Sequence, residues 1–392
     1  MKGKIVGSTL IVTGTAIGAG MLAIPLVTSE LGFLLSTLLL FVCWGVMNLT
    51  AFLILHVNMA FHEHSNLSTM ASQTIGRAGH AITWVSCLLL LYALTAAYMT
   101  GGASLLGNSL EYFFDIKIPA MANSLLFTIV LGAFVYFGTR SVDYANRVLI
   151  SLKMGSFFLL LVLLLPHIQI GKLPLYSHSR MGWMIALPVL LTSFGYQTVI
   201  PSIRDYLHSH VKSLKKVIFI GGSIPLLIYL AWELVIFATL PDLKSTVSLA
   251  EMVTLLSEKL NQPVLTFIVN AFTDLAITTS FLGVSMSLFH FIRDGFHLNQ
   301  NRIGDRGFAA LITFSPPLCF AWFYPEGFVM ALNYASIFVV ILLILVPVWM
   351  TIRLKRKGHP SAYPFKLHWT GLVLLLVFSA IVICAHFVPT NL

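Results

Sequence analysis

Apolar runs close to the length of a membrane-crossing helix follow one another along almost the whole chain, separated by short polar segments. They predict about eleven spans, at residues 5–27, 32–58, 81–107, 121–138, 148–166, 182–202, 217–240, 263–292, 307–324, 327–351 and 367–389. The 32–58 and 263–292 runs exceed what lipid requires, which implies tilt or extension beyond the bilayer.

Two runs are interrupted by glycine at matching places. One reads Leu10-Ile-Val-Thr-Gly14-Thr15-Ala16-Ile17-Gly18-Ala19-Gly20 and continues to Pro25; the other is Pro188 to Pro201, with Ser193-Phe194-Gly195-Tyr196-Gln197 at its centre. Glycine and proline weaken the i to i−4 ladder, and a spanning segment tolerates freed backbone groups only where they meet protein or line a cavity. Such a pair predicts a secondary transporter that holds its substrate at mid-depth between one broken helix from each internal repeat. Spans one to five (about 5–168) and six to ten (about 182–351) are the candidate repeats. Five is an odd number, so the second repeat must be inverted. The last span, about 367–389, is an addition to a single transmembrane domain over 1–392.

Composition agrees with a bilayer: 58% of residues are hydrophobic and 9% charged, and the mean hydropathy is +0.90. A net charge of +9 raises the question of nucleic acid, and the placement of the charges answers it. With the N-terminus inside, Lys4, Lys212, Lys215, Lys216, Arg353, Lys355, Arg356, Lys357 and Lys366 collect on the cytoplasmic side. Lys117, Lys172, Arg180, Lys244 and Lys259 face the other. The basic balance is therefore a topology signal, and an odd number of spans puts the C-terminus outside. Met1-Lys-Gly-Lys4 resembles the start of a signal peptide, but the apolar run behind it is too long. Cys43, Cys87, Cys319 and Cys384 all fall in spans and read as packing residues. His62-Glu63-His64 reads as a solvated loop rather than a metal site. Between spans seven and eight, Ser248 and Glu251 have capping-box spacing, and Leu249, Met252, Val253, Leu256 and Leu260 share one helical face. That helix either covers the way in or packs along the outer surface.

Several segments together resemble the hydroxy and aromatic amino acid permeases, most closely the tyrosine-specific permeases of bacteria. They are Gly14 to Pro25, Tyr92 to Tyr98, Leu164 to His167, Thr192 to Tyr196 with Pro201 to Ile203, Asp274 to Val284 and Phe323 to Leu332. The resemblance covers essentially the whole chain. It implies a five-plus-five inverted-repeat fold with helices one and six broken, and proton-coupled uptake of an aromatic amino acid across a bacterial inner membrane. No cofactor is implied. A zwitterion entering a dry cavity needs both charges matched, and a broken helix offers amides and a positive half-helix end to a carboxylate. The amides expected to do so are those of Ile17, Gly18, Ala19 and Gly20, while carbonyls near Thr15, Ala16, Ser193 and Phe194 accept from the ammonium group. The aromatic ring is expected among Tyr92, Ala96, Phe194, Tyr196, Gln197, Thr278 and Phe281, with Asn333 reaching a phenolic hydroxyl.

Only Lys153, Glu233 and Asp274 put a formal charge inside a span, where each is costly to keep. Asp274, Thr278, Phe281 and Ser285 form a helical stripe that either lines the path or binds helices together. Glu233 reads as a group with a peripheral partner near the outer end of span seven. Lys153 has apolar helical neighbours, and in the resembling fold this stretch faces the first break and span eight. It is expected to couple uptake to protons, with Asp274 as a second candidate; snorkelling to the cytoplasmic edge is the alternative. Lys4, Arg204, Asp205 and Asp294 are expected at an inner gate. A channel would show rings or a repeated filter, and an intramembrane enzyme would show a clustered nucleophile or metal set; neither pattern is present. Tryptophan or hydroxyl amino acids as substrates, and sodium as the coupling ion, stay open.

Overall fold

The computed structural model describes residues 2–62, 65–176, 179, 181–260, 262–299, 302–358, 363 and 368–387. Glu63 and His64 of the loop cluster, Arg180 and Lys366 of the charge pattern, and residues 388–392 lie outside them. The first span is two helices, α1 (Lys2–Ala16) and α2 (Gly20–Thr28), bent by 49° at the expected break. After it come α3 (Gly32–Asn58), a short α4 (Leu67–Ile75), α5 (Arg77–Phe114), α6 (Ala120–Phe137) and α7 (Thr139–Leu164). The sixth span is also divided, into α8 (Gly182–Ser193), a 3₁₀ turn at Gln197–Val199 and α9 (Ile200–Tyr206). The remainder is α10 (Val211–Thr239), α11 (Leu249–Leu260), α12 (Pro263–Gly295), α13 (Ile303–Phe323), α14 (Phe328–Val340), a π-helical turn at Ile341–Leu345, α15 (Val346–Lys357) and α16 (Trp369–His386).

Among the described residues, nine helical spans are long and apolar enough to cross a membrane, and the bent α1–α2 pair makes ten. The one remaining expected span, the ninth at 307–324, is α13, whose 21 residues include Asp305, Arg306, Pro316 and Pro317 and are correspondingly less apolar. It packs against α5, α6 and α12 as part of the same bundle. Neither α4 nor the π turn announces itself in the sequence. The π turn matters for position, because Leu343 within it lies 3.8 Å from where a Cβ on Gly195 would sit, against the second break.

Two interfaces set the depth of the first break. Gly221 on α10 lets α1 approach so closely that a Cβ there would sit 2.7 Å from Val12 Cβ, and Thr13 donates to the Gly221 carbonyl at 3.1 Å. On the other side α7 packs against α12. Toward the face where α1 begins, α9 is tied to the segment that follows α3: Arg204 donates to the carbonyl of Phe61 at 3.0 Å and to that of Asn58. On the opposite face α11 buries Leu249, Met252, Val253, Leu256 and Leu260, the apolar stripe seen in the sequence.

The capping box of α11 forms as the spacing predicts. The Ser248 amide donates to Glu251 Oε2 at 2.8 Å and the Glu251 amide donates to Ser248 Oγ at 3.3 Å. Ser248→Ala is expected to destabilise α11 by about 1 kcal/mol. Amide exchange or limited proteolysis should report this as faster opening confined to residues 249–260.

Candidate functional site

The two breaks meet inside the bundle. A Cβ on Gly20 would lie 3.1 Å from Ser193 Oγ, so the start of α2 rests directly on the end of α8. Each break leaves the carbonyl end of one half-helix and the amide end of the next at the same depth, which concentrates opposite partial charges there.

Lys153 reaches this point from α7. It is 4% exposed, and its Nζ donates to the Ile17 carbonyl at 3.1 Å and to Thr279 Oγ1 at 3.3 Å. One ammonium group thus joins the first break, α7 and α12, and the side chain does not snorkel to an edge. Ser280, the next residue on α12, accepts from the Ala19 amide at 2.8 Å and donates to the Ala276 carbonyl at 2.9 Å. Tyr229 on α10 holds its hydroxyl 2.7 Å from both the Ala16 and the Ser193 carbonyl oxygens. The Tyr98 hydroxyl lies 4.0 Å from the position of a Cβ on Gly18, nearer the break than any group of Tyr92 is shown to come.

Among the expected backbone groups, the Ile17 amide bonds the Thr13 carbonyl and the Gly18 amide bonds that of Ala16, at 2.9 and 2.8 Å. Thr15 is exposed and its hydroxyl returns to the Ile11 carbonyl. Ala96 is buried in α5, and Phe194 sits edge-on to the Tyr229 ring with centroids 5.1 Å apart. Other expected contacts turn away from the break. Tyr92 donates to the Ile312 carbonyl on α13 at 2.9 Å, Tyr196 to Asn48 Oδ1 at 3.1 Å, and Gln197 to the Met47 carbonyl at 2.9 Å. Phe281 packs between Phe127 and Phe314, and Asn333 faces His386 on α16 at 3.3 Å. Asp274 accepts from Ser109 on α5 at 2.9 Å, Ser285 bonds back to Phe281, and Thr278 is half-buried beside the Thr279 that meets Lys153. The Asp274 and Phe281 positions therefore bind helices together, and Ser285 returns to its own helix. Glu233 is fully buried and accepts from Thr28 at 2.6 Å, the last residue of α2, so its partner lies at the end of the first span away from the break.

Gly18 and Ser280 are in contact, but one turn further toward the start of α1 the helices part. A Cβ on Gly14 or on Gly283 would meet nothing within 4 Å, and Thr15, Thr198, Ser202 and Ser287 are all exposed there. Small and hydroxylated residues are thus exposed beside the breaks on this side. On the other side of the break every residue of α2 is buried. Of the expected gate residues, Lys4 meets His208 Nε2 at 3.1 Å and lies over the Tyr206 ring, Arg204 is bound to backbone carbonyls, and Asp205 is half-buried in α9. Asp294 is exposed at the end of α12, and among the described residues it forms no ion pair with Lys4.

A bundle whose first and sixth spans are broken and face each other at mid-depth defines a secondary transporter of the five-plus-five inverted-repeat class. The manganese transporter of Eremococcus coleocola, solved with an aromatic bis-isothiourea substituted compound, shares the fold. Its TM-score is 0.63 at 15% identity, over 97% of this chain and 85% of that one. The model of the tryptophan/tyrosine permease family matches residues 1–388, and the chain belongs to that family. It is 36% identical to the tyrosine-specific transport system 1 of Haemophilus influenzae, over 97% of this chain and 95% of the relative. It is 33% identical to a tryptophan-specific transport protein of the same organism, over 92% and 90%. The chain is a multi-pass membrane permease and not an enzyme.

Proposed function

We propose that this permease imports an aromatic amino acid, L-tyrosine ahead of tryptophan and phenylalanine, together with a proton by alternating access. The membrane is the bacterial inner membrane, with the N-terminus cytoplasmic and the C-terminus periplasmic. The observation that carries the reading is the meeting of the two breaks at Gly20 and Ser193, with Lys153 bound to the first of them. Carbonyl ends of α1 and α8 suit an ammonium group, and the amide end of α2 suits a carboxylate. In this orientation the cleft beside Gly14 and Gly283 opens to the cytoplasm. Lys4, Arg204, Asp205 and Asp294 form the gate that shuts it when the carrier faces outward. Lys153 is the coupling group, and Asp274, tied to Ser109, supports helix packing. The aromatic preference rests on the family and on the names of its relatives. Gln197 and Asn333, turned to α3 and α16, add nothing to it.

The test is exchange of labelled L-tyrosine in proteoliposomes against a panel of unlabelled amino acids. Tyrosine, tryptophan and phenylalanine are expected to compete, with tyrosine first. Equal competition by leucine and serine would overturn the aromatic reading. Tryptophan outcompeting tyrosine would favour the second substrate named among the relatives. Uptake driven by an imposed pH gradient without sodium is expected, and a strict sodium requirement would overturn the proton.

A further inference from the structure

The backbone groups best suited to a zwitterion are already engaged by two side chains of the chain itself. At the amide end of the first break, Ser280 Oγ occupies the Ala19 N–H at 2.8 Å. A carboxylate oxygen would have to take that same place. Ser280 also donates its one proton to the Ala276 carbonyl at 2.9 Å, so the hydroxyl stays bonded to its own helix when the Ala19 amide leaves it. At the carbonyl ends, the Tyr229 hydroxyl sits 2.7 Å from both the Ala16 and the Ser193 oxygens. A phenol has one proton to donate, and here two acceptors converge on it. An ammonium group, with three donors, satisfies that pair of carbonyls better than the phenol can.

We propose that Ser280 and Tyr229 are placeholders for the substrate's carboxylate and ammonium, holding the backbone groups of the two breaks between transport events so that the carrier can close and return without cargo. The inference rests on the reading of the breaks as an amino acid site. Its physical reason is the cost of a buried backbone group left without a partner. During exchange, cargo satisfies those groups on both journeys. During net uptake, one of the two journeys is made without cargo, and the placeholders must do it instead. Tyr229 and Ser280 approach from different helices, α10 and α12, and meet carbonyls and an amide respectively, so each serves one pole of the zwitterion.

The experiment uses the full chain, purified and reconstituted, with three probes: L-tyrosine, tyramine, which lacks the carboxylate, and 3-(4-hydroxyphenyl)propionate, which lacks the amine. Ser280→Ala removes the competitor for the Ala19 amide. It should tighten binding of tyrosine and the propionate while leaving tyramine unaffected. Tyr229→Phe should tighten tyrosine and tyramine while leaving the propionate unaffected. In both variants the ratio of exchange to net uptake should rise by about tenfold, the effect of one buried unpaired group on the journey without cargo. A uniform change in affinity for all three probes, or equal loss of exchange and net uptake, would show that these residues merely fasten helices and would overturn the proposal. Monodispersity of the purified variants separates either outcome from misfolding. Wild type binding none of the three probes would overturn the amino acid site itself. Normal wild-type binding with uniform variant changes would overturn the placeholders alone.

Discussion

Lys153→Ala is expected to abolish concentration of substrate by an imposed pH gradient, leaving uptake that only equilibrates across the membrane. The ammonium group of Lys153 is buried, donating to the Ile17 carbonyl at 3.1 Å and Thr279 Oγ1 at 3.3 Å. It is thereby a tie between the first break, α7 and α12, and on one side of the site α1 and α12 part. A proton on that nitrogen supplies both the charge and the third donor, and its loss weakens the hold on the two oxygens. Any ligand that binds two states unequally shifts the equilibrium between them, and a proton qualifies when the tie exists in one state and not in the other. Alanine leaves the carbonyl and the hydroxyl without that partner whatever the pH. Exchange of labelled for unlabelled substrate by the same variant shows whether the site survives. Accumulation by Lys153→Ala under a pH gradient would remove the lysine from the coupling step.

Gly18→Val should abolish measurable binding while the protein remains folded and inserted. A Cβ at residue 18 would stand 3.0 Å from Ser280 Oγ and 4.0 Å from the Tyr98 hydroxyl, and valine adds two methyl groups beyond it. The added bulk lies over the Ala19 amide, where the carboxylate is placed. Crowding of about 2–3 kcal/mol corresponds to a roughly 100-fold loss of affinity. The cleft beyond Gly14 is open, so the backbone on that side is not pressed against a neighbour and the fold tolerates the change. Undiminished affinity for L-tyrosine, measured by equilibrium binding on the purified variant, would move the carboxylate site elsewhere.

Much of the architecture is legible in the sequence because the bilayer makes its demands locally. Each spanning segment must satisfy its own backbone hydrogen bonds, so the length of an apolar run and the glycines that interrupt it can be read one segment at a time. The breaks at Ile17–Ala19 and Phe194–Tyr196 follow in this way, as does the Ser248–Glu251 cap, which involves only residues three apart. Lys153 stands out because a charge among apolar neighbours is anomalous without any knowledge of its surroundings.

What tertiary structure decided is the direction in which each helix looks. Neighbouring residues on a helix point about 100° apart, and a span apolar all round carries no stripe to fix its rotation. On α12 the site therefore receives Thr279 and Ser280, while Thr278 lies beside them and Phe281 packs on Phe127 and Phe314. On α5 it is Tyr98 that approaches Gly18, while Tyr92, nearly two turns away, bonds to α13. Tyr229 gives no local sign of its role, since a tyrosine in a span is ordinary until two carbonyls from distant segments converge on its hydroxyl. The sequence alone determined that two helices must break inside the membrane and marked one lysine inside a span. Only the packing of α7, α10 and α12 around those breaks decided which hydroxyls face them, because that choice depends on contacts between residues up to 261 positions apart.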